Sequence, residues 1–224
     1  MVWVAILPLL AALVAFVFAV QLGRQFLSRR RPHALAWGLA LALFGVASTM
    51  VSVGVTAGWS PPVFGAYWIA GALLNVPLLA LGQLMLLDPR RSVLYWTLAG
   101  VCAVWAIAFT LMASFDSAVL AAASADHAIP LGKEVISEST AYVLVGPFNA
   151  TALVVVIGSI WSAVRSRRWA VLLIALGIVV VAGGSSAVGA GRDFLFSVLL
   201  AGGVSIMYLG FRAASKPPRH SAPA

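Results

Sequence analysis

Apolar residues run along this chain in long, nearly unbroken stretches. They lack the alternation of a half-buried strand and the narrow stripe of a soluble surface helix. Seven such stretches, at 2–22, 34–56, 63–87, 93–115, 142–164, 169–190 and 194–212, are separated by short polar or turn-forming segments. A helix needs about 20 apolar residues to cross the hydrocarbon core of a bilayer, and each stretch comes near or above that length. Lipid offers no partner to backbone N–H and C=O groups, so spans of this kind must be helical. The pattern predicts an all-α fold, a polytopic membrane bundle of seven transmembrane helices.

The separators support the same division. Arg24, Arg29, Arg30 and Arg31 follow the first stretch, and Ala57-Gly58-Trp59-Ser60-Pro61-Pro62 forms a turn after the second. Asp88-Pro89-Arg90-Arg91 closes the third, Arg165, Arg167 and Arg168 close the fifth, and Gly191-Arg192-Asp193 joins the last two. The longest interruption is the polar loop 116–141, and the Pro- and Lys/Arg-bearing tail 213–224 reads as disordered. The first stretch carries its positive charge after the apolar run. A secretory signal carries it before, so a retained helix is expected.

Composition narrows the class. Hydrophobic residues make up 62% of the 224 and charged residues only 9%, against about 25% charged in an ordinary soluble domain. One soluble core could not hide that much apolar surface, which excludes an ordinary soluble enzyme or a zinc domain. The net charge of +8 has a spatial logic: twelve of the 14 basic residues fall on one side of the seven-span plan, and only Lys133 and Arg192 on the other. Asp88 is the only acidic residue on the basic side. The positive-inside rule then gives an N-terminus outside and a C-terminus inside, with 116–141 extracytoplasmic and 213–224 cytoplasmic. The expected location is the cell (plasma) membrane, multi-pass. Basic residues spread over short loops suit anionic headgroups, and no recognition motif accompanies them, so the lipid bilayer is the expected partner and nucleic acid is not.

The starts of the first and fifth spans resemble each other: Pro8-Leu9-Leu10-Ala11-Ala12-Leu13-Val14 against Pro147-Phe148-Asn149-Ala150-Thr151-Ala152-Leu153-Val154. Both spans end in a Ser-Arg cluster, and small-residue patches follow at Gly45-Val46-Ala47-Ser48 and Gly183-Gly184-Ser185-Ser186. The pattern admits a 3+1+3 parallel repeat with the fourth span as linker.

No Asp, Glu, Lys, Arg or His falls in the middle of any span, which excludes proton relays and voltage sensors built on intramembrane charge. His33, His127 and His220 lie in loops or the tail, leaving no axial pair for haem, and Cys102 is the single cysteine. Asp126-His127 and Lys133-Glu134 supply too few donors for a metal. No catalytic residue, metal site, cofactor or enzymatic activity is expected. Uncharged polar residues remain. Asn75 sits mid-span two residues before Pro77, with Gln83 beyond, and Trp68, Gly71, Asn75 and Gly82 share a helical face. Tyr142, Gly146 and Asn149, beside Pro147, repeat the arrangement in the fifth span. Amides are costly in lipid and should point into the bundle, where they serve either as interhelical glue or as a ligand site. A proline frees a carbonyl one turn earlier, which could join them. Stripes such as Ser48, Ser52 and Thr56 suit close helix approach. Trp59, Trp68, Trp96 and Trp169 read as interfacial anchors.

The third span, from Tyr67-Trp68 to Pro77-Leu78-Leu79, resembles the third helix of microbial rhodopsins. Gly71 and Gly82 stand where ion-pumping members have carboxylates, and Gly203 stands about where the retinal lysine would be. Leu74-Asn75-Val76-Pro77-Leu78-Leu79-Ala80-Leu81-Gly82, Gly146-Pro147-Phe148-Asn149, Gly183-Gly184 and Gly210-Phe211-Arg212 are similar to a family of uncharacterised seven-span proteins from high-GC bacteria. That resemblance implies the seven-span fold and no activity.

The residues therefore point to a non-enzymatic membrane protein that binds or translocates a small uncharged or lipid-like molecule, with Trp68, Asn75, Pro77, Gln83, Tyr142 and Asn149 as the ligand-binding candidates. The alternatives are a structural or accessory subunit of a larger membrane complex, as homo- or hetero-oligomer, and a sensor-like seven-helix bundle without retinal.

Overall fold

A computed structural model describes residues 2–136, 145–166, 172–189 and 192–215. The regular structure of the described residues is helical, with one isolated antiparallel bridge, Phe115 to Ile136. Helix α1 is Val2–Arg29 and runs on past Arg24 to Arg29. Helix α2, Pro32–Ala57, opens on a proline, which gives up a backbone donor that has no partner at a helix start. Helix α3 covers Pro61–Leu87. A short 3₁₀ turn, Pro89–Arg91, is held by the Asp88 carboxylate accepting from the Arg90 amide at 3.2 Å, and leads into α4, Ser92–Met112. Two short helices, α5 (Ser117–Ala125) and α6 (Gly132–Val135), lie in the long loop. The remainder comprises α7 (Val145–Ala150), α8 (Ala152–Ser166), α9 (Leu172–Gly189) and α10 (Asp193–Ser215).

Among the described residues, six helical segments are long and apolar enough to cross a membrane: α1, α2, α3, α4 with its leading turn, α7 with α8, and α10. The sixth expected span is represented by α9, whose apolar part, Leu172–Gly184, is shorter. Trp169, Tyr142 and the tail beyond residue 215 lie outside the described residues.

The helices form a closed ring. α1 packs along α2, α2 on α3, α3 on α8, α8 on α9, α9 along α10, and α10 returns to α1. α4 stands outside the ring against α3, with Val104, Leu111 and other large apolar side chains exposed. Close packing depends on small residues. Gly177 and Gly203 meet where α9 crosses α10, and a Cβ on either would lie within 2.7 Å of the other's carbonyl oxygen. Gly82 accommodates the Trp37 indole, whose Nε1 donates to the Leu79 carbonyl at 3.0 Å. Polar links join neighbours around the ring: Ser52 Oγ donates to the Ala5 carbonyl at 2.8 Å, and Gln21 Nε2 to Tyr208 Oη at 2.8 Å.

Residues 116–136 of the long loop fold into a cap, where the sequence suggested only a polar connector. Leu120, Ile129, Val135 and Ile136 are buried, giving this segment an apolar underside. The cap is pinned to the ring at three points. Trp59 donates from its backbone to Ser124 Oγ at 2.6 Å and from Nε1 to the Ala128 carbonyl at 2.8 Å. The His127 ring meets the Val55 carbonyl at 2.8 Å. The Ile129 amide donates to Asp193 Oδ2 at 3.1 Å. This cap corrects the reading of Trp59 and Trp68 as interfacial anchors. Both are buried, Trp59 beneath the cap and Trp68 against Gly132 of α6.

Candidate functional site: a cavity beneath the cap

Two ring helices lose regularity at the same level. In α3, the ring of Pro77 crowds the carbonyl four residues earlier and the proline supplies no amide. The helix widens into a π-helical stretch, Trp68–Leu74, and regains α geometry at Asn75. Such stretches concentrate at functional sites. On the other wall, α7 stops at Ala150 and α8 starts at Ala152, with the Thr151 hydroxyl bonded to the Phe148 carbonyl at the break.

Between them lies a cavity of about 540 Å³, within the range of small-molecule sites. α2 contributes Phe44, Ser48 and Val51; α3 contributes Tyr67, Trp68, Gly71 and Asn75. Asn149 and Ala152 come from the α7/α8 break, and Phe196, Leu200 and Val204 from α10. Pro130 to Lys133 of the cap close the end, and among the described residues Lys133 is the one charged side chain on the wall. Two lining residues, Asn149 of α7 and Ala182 of α9, are exposed.

The structure thus brings together three of the six residues singled out in the sequence, Trp68, Asn75 and Asn149. Two go elsewhere. Pro77 lines a smaller apolar groove of about 280 Å³ on the opposite side of α3, with Trp96 and Cys102 of or near α4. Gln83 is buried further along α3, donating to Ser162 Oγ at 3.4 Å and packed against Gly158, so it cross-links α3 to α8. Tyr142 lies outside the described residues. Gly71 and Gly82 do share the face toward α2, against Ala47 and Trp37.

The sequence reading missed Ser48 as a cavity residue. Thr49, Ser52, Thr56, Thr97, Thr110, Ser124, Ser197 and Ser205 all return their hydroxyl to the carbonyl four residues earlier. Ser48 Oγ makes no such bond, and neither it nor Asn75 Oδ1 has a hydrogen-bond partner among the described residues. Ser48 is 1% exposed and Asn75 7%. A buried polar atom left unpaired costs about 1–3 kcal/mol, so two on one cavity wall are a reason to look for an occupant. A third orphan, Ser159 Oγ, lies on α8 away from the cavity lining.

Fold and cavity together define an integral, multi-pass helical membrane protein embedded in a lipid bilayer. No family model, curated protein or solved structure matches the chain.

Proposed function

We propose that this protein binds, and carries within its helix bundle, a small uncharged or lipid-like molecule in the cavity beneath the cap. The observation that carries this reading is a mostly apolar cavity lined by Asn75, a residue whose Oδ1 is buried and unpaired and which stands where α3 returns from π to α geometry. Discontinuous helices facing each other across a mid-membrane site are a recurring transporter device, because their irregular backbone is tolerated only beside a cavity. Seven spans with the N-terminus outside and the cap extracytoplasmic complete the reading, α9 serving as the sixth span. The packing order agrees with a 3+1+3 repeat. The contact of α10 with α1 and that of α3 with α8 would exchange under a two-fold axis along the membrane normal, leaving α4 outside as the linker. The role is non-catalytic.

The test is native mass spectrometry after mild solubilisation, with Ala152→Phe and Ala182→Phe each placing a bulky ring on the cavity lining. The wild-type protein should carry a small molecule that both variants lose while remaining monodisperse. Equal occupancy in the obstructed variants, or a wild-type protein that carries nothing, would overturn the reading. A fixed protein partner at constant stoichiometry in place of a small molecule would favour an accessory subunit.

A further inference from the structure

The ring closes where its last helix meets its first, and that seam carries chemistry separate from the cavity. Ser197 Oγ donates to the Val4 carbonyl at 3.4 Å near one end of the seam, and Gln21 Nε2 to Tyr208 Oη at 2.8 Å near the other. Residue numbers rise together along the two helices, so α1 and α10 run parallel. Phe18 packs on Tyr208 and Phe211, with ring centroids 5.4 and 4.8 Å apart, which sets the facing sides at the second end.

Two arginines stand just beyond that end of the seam. Arg24 follows Gln21 by three residues, and Arg212 follows Tyr208 by four. Residues so spaced are neighbours on a helix surface, with Cβ atoms about 5–6 Å apart. The Arg212 guanidinium lies over the Tyr208 ring, 5.8 Å from its centroid, and Gln21 holds the hydroxyl of that same ring. Both arginines are exposed, and among the described residues neither has a carboxylate within salt-bridge distance. The ion pair there is Arg91 with Asp88 at 3.4 Å. Arg29, Arg30 and Arg31 extend the positive charge past Arg24. Leading up to Arg24 is an apolar stripe: Leu13, Val17 and Val20 are exposed and share its face of α1 at helical spacing.

These features select a partner. Planar guanidinium forks match phosphate oxygens. The exposed stripe suits an acyl chain, which a free phosphate lacks. A zwitterionic headgroup would bring an ammonium among arginines that have no paired carboxylate to share, so a net negative headgroup fits better. We propose that the seam between α1 and α10 binds an anionic phospholipid of the surrounding leaflet, its phosphate held by Arg24 and Arg212 and an acyl chain lying along Leu13, Val17 and Val20. The lipid bridges the first and last helices of the ring and fastens its closure. The site stands whether or not the cavity is filled.

The experiment measures thermal unfolding of the full chain in phosphatidylcholine nanodiscs with and without phosphatidylglycerol. Phosphatidylglycerol should raise the wild-type midpoint by about 5 °C. Arg24→Gln combined with Arg212→Gln should match the wild type in pure phosphatidylcholine and lose that rise. Arg29→Gln combined with Arg30→Gln removes as much charge at the turn between α1 and α2, and should keep it. Native mass spectrometry should show phosphatidylglycerol retained by the wild-type chain and by the second variant, and lost from the first. An equal loss in both double variants would overturn the site in favour of diffuse surface charge. So would a wild-type midpoint that phosphatidylglycerol leaves unmoved. An equal rise from inorganic phosphate in pure phosphatidylcholine discs would overturn the lipid and leave a free-anion site.

Discussion

Ser48, Ser52 and Thr56 occupy one stripe of α2, spaced by four residues, yet only their surroundings reveal what each does. Ser52 ties α2 to α1 through the Ala5 carbonyl, Thr56 turns back on its own helix, and Ser48 is left without a bond on the cavity wall. Ser52→Ala should therefore lower stability by about 1 kcal/mol, the typical worth of a hydrogen bond or of an intramembrane polar contact. Ser48→Ala should cost nothing in the absence of ligand. Reversible unfolding of the two variants side by side checks the contrast, and an equal loss in both would mean Ser48 is structural. His127 is a comparable case in the cap. It holds a positive φ of 51° that glycine adopts more readily, and its ring reaches the Val55 carbonyl. His127→Gly relieves the backbone and removes the link, so it should leave α5 intact while loosening the cap. Faster amide exchange at Ala128 and Ile129, with the rest of the chain unchanged, is the expected signature.

At the scale of elements, α3 illustrates how one proline acts at a distance. Pro77 does not line the cavity, but the π-helical stretch that precedes Asn75 gives Trp68, Gly71 and Asn75 their placement on its wall. Pro77→Ala restores an amide and removes the clash with the preceding turn, which favours a regular α-helix through this region. The expected outcome is a protein at least as stable as the wild type that no longer responds to ligand, because Asn75 is turned away. Unchanged ligand-dependent stabilisation would show that the π stretch does not depend on Pro77. The cap is the second element with a role beyond connection. Trp59, His127 and Asp193 hold it to the ends of α2, α3 and α10, and Pro130 to Lys133 form the cavity's end wall. Trp59→Phe keeps the ring packing and loses the bond to Ala128. It should raise proteolytic sensitivity within 116–136 without dispersing the bundle.

For the whole molecule, the ring of α1, α2, α3, α8, α9 and α10 with α4 outside follows from the solvent. Helices that are apolar all round gain little by hiding from lipid, so small residues and hydrogen bonds decide who packs on whom. The topology proposal is tested by labelling with a membrane-impermeant maleimide in a Cys102→Ala background. Lys133→Cys should react in intact cells and Lys216→Cys only after permeabilisation. The reverse pattern would invert the orientation.

How much could be read in advance differs by scale. The helical class was visible from the length of apolar runs, which the six long apolar helices and the shorter α9 match. The folding of the long loop was not, because it depends on contacts with distant segments: Ser124 with Trp59, and Ile129 with Asp193. Asn75 and Asn149 could be picked out because amides are rare and costly in lipid. Gln83 could not be separated from them by the same reasoning, since a buried amide needs a partner wherever it sits. What the sequence by itself determined is the class. Long apolar runs leave the backbone no partner but itself, so the chain must be a multi-pass helical membrane protein. What only the tertiary structure decided is which polar groups pair and which remain open. Helical periodicity defines the faces of each helix, but the rotation and neighbours of each helix come from packing. That packing satisfied Gln83, Ser52 and Gln21 across helix boundaries and left Ser48 Oγ and Asn75 Oδ1, on two residues that line a cavity, without a partner.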